Sequence, residues 1–366
     1  MTSTKIFTLS EIHQRTSRGE CLVIHRNKVY DVAPFVRMHP GGEQMIKQRA
    51  GQDITRTLES APHRHSANAY RWLEQYYIGD LRGENHTQGQ SLRKRETRSE
   101  DHYDPLSYEL KCKTVDPKND LVDWSKPLLW QVGHLKERYD EWVHQPVDRP
   151  IRLFYSDFVE ACSKTAWYMV PLVWIPVIFF LCWRGSNLLS QDYNLYSSEF
   201  SAPVYRFLFP CCFVMGMFTW SFLEYSIHRF VFHMTPPANN YYLIAVHFML
   251  HGQHHKSPYD DSRLVFPPVP ASMVAGLFYG LLWFMLPEGI AVSLFVGGLT
   301  GYLIYDLVHY YLHYGSPHKG TYLYDMKAYH VKHHFEHQKS GFGITSKFWD
   351  YPFSTLIPEE TFDEQQ

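Results

Sequence analysis

The chain has 366 residues, room for two domains, and its 35 Lys+Arg against 37 Asp+Glu leave a net charge of −2, which argues against a nucleic-acid partner. Six cysteines without a C-x-x-C pair outline neither a disulfide framework nor a thiolate metal site. The mean hydropathy of −0.32 averages a polar first 150 residues with long apolar stretches beyond, and a polar N-terminus gives no expectation of a secretory signal peptide.

Residues 1–85 read as a small soluble domain. Cys21–Ile24 and Lys28–Val32 are expected as strands around a turn at Arg26-Asn27. Glu43–Ala50 is a helix candidate, and Ser66–Tyr76 a second, with Tyr70, Leu73 and Tyr77 on one face. Between them lies His39-Pro-Gly-Gly42, where the glycines permit a turn that aims His39 inward. The run Tyr30-Asp-Val-x-x-Phe35 followed by His39-Pro-Gly-Gly42 resembles cytochrome b5. The resemblance implies a haem b with His39 as one axial ligand. The second lies in Pro62-His63-Arg-His65-Ser-Ala-Asn-Ala; His65, with Ser66 as a helix cap, matches better, and His63 is the alternative. Two axial imidazoles leave haem iron no place for O2, so such a domain carries electrons.

Residues 86–120 are polar and charged and read as a solvated linker. Residues 121–366 read as an all-α membrane domain with about four spans near Thr165–Trp183, Phe207–Tyr225, Val269–Leu286 and Ile290–Leu307. Pro171, Pro176 and Pro210 fall inside spans and are expected to kink them. Basic residues precede the first span (Arg149, Arg152, Lys164), separate the second and third (Arg229, Lys256, Arg263) and follow the fourth (Lys319, Lys327, Lys332, Lys339). The turn at Pro287-Glu288 has none, so both termini are expected in the cytosol.

Thirteen of the 22 histidines lie between His228 and His337. Ten form four groups: His228-x4-His233, His251-x2-His254-His255, His309-x3-His313 and His330-x2-His333-His334. The expected topology puts all four groups on one side of the membrane. Spacings of three and four share a helix face. Five residues carry an α-helix about 140° past its starting face, so His228 and His233 need a helix end or a bulge. Ten imidazoles exceed the coordination of one ion and imply two. Imidazole suits zinc, copper, iron or nickel, and ten nitrogen donors beside lipid fit a redox pair, hence two iron ions, which zinc can replace in preparations. Glu224 and Asp306, one turn before His228 and three residues before His309, are candidates for accepting a ligand's free ring N–H or, alternatively, for pairing with Arg229 or Arg263. His247, His318 and His337 are read as supporting or structural. Tyr302, Tyr305, Tyr310, Tyr311 and Tyr322 are candidates for a substrate entrance.

Taken whole, the chain resembles the fatty acid 2-hydroxylase family. The resemblance rests on Pro127-Leu-Leu-Trp-Gln-Val-Gly-His134, Glu141-Trp-Val-His-Gln-Pro146, His251-Gly-Gln-His-His-Lys256 and Lys339-Ser-Gly-Phe-Gly343. It implies an α+β cytochrome b5-like haem domain joined to an integral membrane domain with a cytosolic histidine-rich di-metal cap. The ten histidines above are then the metal ligands. The implied reaction is O2-dependent hydroxylation at C2, giving (R)-2-hydroxy fatty acids for ceramides and other sphingolipids. The substrate is a long-chain fatty acid, acyl-CoA or ceramide, the enzyme is expected in the endoplasmic reticulum membrane, and a separate NAD(P)H-dependent cytochrome reductase supplies electrons. The linker would hold donor and acceptor at high effective concentration. Two other readings stand beside this one: a desaturase or sterol oxidase on the same scaffold, and a non-enzymatic haem protein with structural zinc.

Overall fold

A computed structural model describes residues 5–39, 43–59, 65, 67–82, 120–147, 149–196 and 205–358. Pro40–Gly42, His63, Ser66 and nearly all of the expected linker lie outside them. The chain divides into two compact units, Met1–Asp116 and Pro117–Gln366.

The first unit runs β1 (Ile6–Phe7), α1 (Leu9–Ser17), β2 (Leu22–His25), β3 (Lys28–Asp31), α2 (Glu43–Lys47), α3 (Thr55–Glu59), α4 (Ala67–Glu74) and β4 (Tyr77–Leu81). Thr8 and Glu11 form a capping box that starts α1. Arg26 (φ 48°) and Asn27 (φ 63°) both adopt left-handed conformations, as the tight turn between β2 and β3 requires. The sheet order is β1-β4-β3-β2, with β2, β3 and β4 antiparallel and β1 parallel to β4. Side-chain alternation along β2 builds two apolar layers. Leu22 and Ile24 pack with Phe7, Ile12 and Val29 on one face. Val23 joins Tyr30, Val32 and Val36 on the other, against Ile46, Ile54, Leu73 and Tyr76. Tyr77 corrects the sequence expectation: it opens β4 rather than extending the helix. Tyr70, Leu73 and Tyr77 have helical spacing, but the chain turns after Glu74 and pairs with β3 and β1.

The second unit begins with short helices α5 (Leu129–Val132), α6 (Tyr139–Val143) and α7 (Asp157–Cys162). The long helices follow, α8 (Met169–Tyr196) and α9 (Tyr205–Ile227), and then α10 (Tyr241–His247) and α11 (Gln253–Lys256). The chain continues through α12 (Pro268–Met285), α13 (Glu288–Tyr314) and α14 (Tyr322–Phe335). Four helices are long and apolar enough to cross a membrane, with candidate spans Met169–Gln191, Phe207–Phe232, Pro268–Met285 and Glu288–Tyr314. Half of the α13 window is buried against at most 17% in the others, so α13 is the central span. A Cβ on Gly297 would lie 2.0 Å from the Phe213 carbonyl, and one on Gly216 would lie 2.1 Å from that of Leu294. Small residues thus let α9 and α13 touch backbone to backbone. Pro171 falls in the first turn of α8, while Pro176 and Pro210 lie inside their helices.

Residues before α8 form a cap on the loop between α9 and α12. Val122, Leu128, Val132, Tyr139, Trp142 and Ile151 share a core with Ile244 and Phe248. Two basic residues counted toward topology are structural as well. Lys256 is fully buried, and its Nζ donates to the carbonyls of Trp142 (2.9 Å) and Gln145 (2.8 Å). Arg263 is buried against Glu160, 2.5 Å away.

Burial pushes the Glu160 carboxyl up. The Phe154 N–H, the Arg263 charge, Lys164 and the Leu153 N–H outweigh that effect and hold it below the usual range. Its contribution to stability is therefore full at neutral pH and is lost as pH falls through its depressed pKa. Glu160→Ala removes the nearer carboxylate and leaves the buried guanidinium with Asp260 at 3.7 Å, which costs about 1–3 kcal/mol. Thermal unfolding in detergent at neutral pH reads this as a lowered transition temperature.

Candidate metal centre

The ten histidines reach one place because the helices carrying them end at one side of the spans. His228 begins a single π-turn, His228–Phe232, at the foot of α9. His233 donates its N–H to the His228 carbonyl at 3.0 Å, which closes the five-residue step. The wider turn brings the two rings to 4.8 Å between centroids and supplies the bulge that the spacing demanded. A second π-turn, Phe248–Gly252, carries His251 and leads into α11 with His254 and His255. His309 and His313 lie on the last turns of α13, beyond the Leu307 end expected from hydropathy. His330, His333 and His334 lie on α14.

Their Nε2 atoms form two chains of near neighbours. In one, His228 is 3.3 Å from His251, His251 3.1 Å from His255, His255 3.2 Å from His233 and His233 3.0 Å from His333. In the other, His309 is 3.1 Å from His254, His254 3.0 Å from His334, His334 3.1 Å from His330 and His330 2.9 Å from His313. All five atoms of the second chain lie within 4.8 Å of one another, as do those of His228, His233, His251 and His333. Metal–nitrogen bonds of about 2.0–2.1 Å place adjacent ligand nitrogens roughly 2.9–3.4 Å apart for bond angles between square and tetrahedral. The observed separations fall in that range.

Tautomers point the same way. His228 Nδ1 is 2.6 Å from the Phe342 carbonyl and His333 Nδ1 2.8 Å from that of Ser340. His309 is hydrogen-bonded to the backbone of Leu264. His313 is bonded to the backbone of Pro258, which has only a carbonyl to offer. An imidazole that donates through Nδ1 turns a lone pair inward at Nε2. Burial holds His233, His251, His254, His255, His330 and His334 well below the ordinary imidazole range and pushes His333 down to about 3, so these rings are neutral. Converging neutral lone pairs cannot satisfy one another, whereas a cation between them can. The donor set fits two nitrogen-ligated transition-metal ions.

Glu224 and Asp306 do not bond to an imidazole, and neither pairs with Arg229 or Arg263. Glu224 accepts the N–H groups of Ile344 (3.2 Å) and Thr345 (2.7 Å) and the Thr345 hydroxyl (2.6 Å). Asp306 accepts the Phe266 N–H at 3.1 Å and the Tyr302 hydroxyl at 3.3 Å. The acceptors facing the histidines are backbone carbonyls, which carry no side-chain signature in a sequence. Lys327, 2% exposed, was read as a topology charge. Its Nζ donates to the Gly315 carbonyl at 2.7 Å and so caps α13 just past His313.

Of the remaining histidines, His247 pairs with the Tyr139 hydroxyl at 2.6 Å, and His318 and His337 belong to neither group. Tyr305 stacks on His309, Tyr302 packs on Trp174 and Trp220, and Tyr310 stacks on Trp167 and Tyr314. Tyr322 is exposed and donates to the Thr345 carbonyl, and Tyr311 is the other exposed member of that set. In the first unit His39 follows a short turn of helix with its ring edge on Phe35, and Phe35 packs on Trp72 and Tyr76. His65 donates its N–H to the Leu58 carbonyl just before α4. The His39 imidazole, bordering an apolar, aromatic layer, fits a haem ligand.

A small α+β domain thus precedes a helical domain with four candidate spans and ten clustered imidazoles, nine of them buried, which defines a histidine-rich membrane protein of the metal-binding class. Residues 8–82 match the cytochrome b5-like heme/steroid binding domain family, and residues 213–355 match the fatty acid hydroxylase family. Human fatty acid 2-hydroxylase is 55% identical over 97% of this chain and 96% of its own length. The ceramide very long chain fatty acid hydroxylase SCS7 of Saccharomyces cerevisiae is 33% identical over 96% of this chain and 94% of its own. A solved structure described as full-length scs7p with only the hydroxylase domain visible aligns with a TM-score of 0.56 at 33% identity. That alignment covers 68% of this chain and 91% of that one. The chain belongs to the fatty acid 2-hydroxylase family.

Proposed function

We propose that this chain hydroxylates C2 of long acyl chains with O2, giving (R)-2-hydroxy fatty acyl groups for ceramide and other sphingolipid synthesis. The observation that carries the reading is the two imidazole groups, one of five and one of four, at the end of the spans, in a chain of this family. Insertion of one oxygen atom consumes O2, two electrons and two protons and releases water. Two iron ions, which the imidazoles would hold, supply O2 activation when bound. In this reading His228, His233, His251, His255 and His333 hold one ion, and His254, His309, His313, His330 and His334 the other. The protein keeps these rings neutral and fixes the tautomers of His228, His309, His313 and His333 through backbone carbonyls.

The domains are a haem domain at residues 1–85, a linker at 86–120 and a hydroxylase domain at 121–366. His39 and His65 are the axial pair of a haem b, whose chemistry is one-electron transfer from an NAD(P)H-dependent reductase. The protein resides in the endoplasmic reticulum membrane, with haem domain and histidine cap facing the cytosol. Yeast SCS7 carries ceramide in its name, which supports an acyl chain presented within a sphingolipid.

The test supplies the purified full chain, loaded with iron and given reductase and NADPH, with ¹⁸O2 and a long-chain acyl substrate. One ¹⁸O at C2 is expected. An unlabelled double bond would make the chain a desaturase and overturn the assignment.

A further inference from the structure

Four consecutive backbone N–H groups beside the metal centre are held by two buried carboxylates from different parts of the chain. Asp350, fully buried, accepts the N–H of Phe342 on Oδ1 (3.0 Å) and that of Gly343 on Oδ2 (2.9 Å). Glu224, 5% exposed on α9, accepts the next two, Ile344 and Thr345. The Thr355 hydroxyl donates to Asp350 (2.7 Å) and lies 2.8 Å from the Tyr225 hydroxyl, which ties Asp350 to α9, the helix that carries Glu224. The clamped strip presents carbonyls on its other side. Phe342 faces His228 Nδ1, and Ser340, two residues before, faces His333 Nδ1.

The Lys339-Ser-Gly-Phe-Gly343 motif fits this use. Gly341 has φ +74°, and a Cβ on Gly343 would lie 2.1 Å from the Ser346 carbonyl and 2.9 Å from Asp350 Oδ2. Both served histidines belong to the same group, with His233 and His251. The other group takes its backbone partners from a different loop, at Pro258 and Leu264.

We infer that Glu224 and Asp350 are positioning residues for one of the two metal ions only, the one held around His228 and His333. They act through the Ser340–Thr345 strip, which fixes the tautomer and aim of those two rings. A carboxylate suits the task because it accepts two N–H groups at once and has no donor to oppose them. Removing the clamp frees the carbonyls, and loss of such outer partners weakens metal affinity by about 10- to 100-fold.

The inference rests on the two-ion reading above, and one experiment separates the two. Full-length wild type, Glu224→Ala, Glu224→Gln and Asp350→Ala are loaded with iron, dialysed against graded chelator and assayed for metal per chain. Wild type is expected to hold two ions. The two alanine variants should release one ion at about 10- to 100-fold lower chelator while keeping the second at the wild-type level. Glu224→Gln keeps an oxygen for both N–H groups and should match wild type. Loss of both ions in parallel in the alanine variants would make the carboxylates general supports of the fold and overturn the inference. So would retention of both at the wild-type level. Fewer than two ions in wild type would instead overturn the two-ion reading.

Discussion

Replacing His309 by Ala ends 2-hydroxylation while leaving the haem absorption spectrum unchanged. His309 Nε2 lies 3.1 Å from His254 Nε2, its ring stacks on Tyr305, and it is bonded to the Leu264 backbone. The ring is thus aimed from outside and contributes its lone pair at the centre of one group. Loss of a direct nitrogen donor exceeds the cost of losing an outer partner, so activity should fall by more than about 100-fold. The haem domain is a separate compact unit and should keep its spectrum. Activity near wild type with both ions retained would remove His309 from the set.

Replacing His39 by Ala has the opposite signature. The haem band is lost because an axial donor is gone, and turnover driven by reductase and NADPH falls to background. The metal content of the second unit is unchanged. Full turnover by the haem-free variant in a purified system with reductase alone would refute the internal electron route.

The sequence made the site legible because ten imidazoles in four groups, eight of them at helical spacings, leave few alternatives. His228-x4-His233 was informative through its irregularity, since no α-helix satisfies that spacing and the chain answers with a π-turn. The spans were legible from apolar length, though not their ends. α13 runs seven residues past Leu307 because its last turns face protein and carry ligand candidates instead of lipid contacts. Tyr77 misled because a strand that follows a helix after two residues can continue helical spacing by coincidence.

Glu224 and Asp306 were picked out by being acidic near an apolar span, a signal of cost but not of partner. Their partners are N–H groups at Ile344, Thr345 and Phe266, which no residue type announces. Lys256 and Arg263 show the same limit. Their charges read as topology signals, while their burial against Trp142 and Glu160 depends on a cap assembled from distant segments.

The most direct test of the central claim is lipid mass spectrometry on cells lacking endogenous 2-hydroxylase, with and without this chain and its His309→Ala variant. The account predicts a rise in 2-hydroxy fatty acids and 2-hydroxy ceramides with the wild-type chain and none with the variant. An equal rise with both chains, or a new double bond or oxidised sterol in place of the 2-hydroxy products, would contradict it.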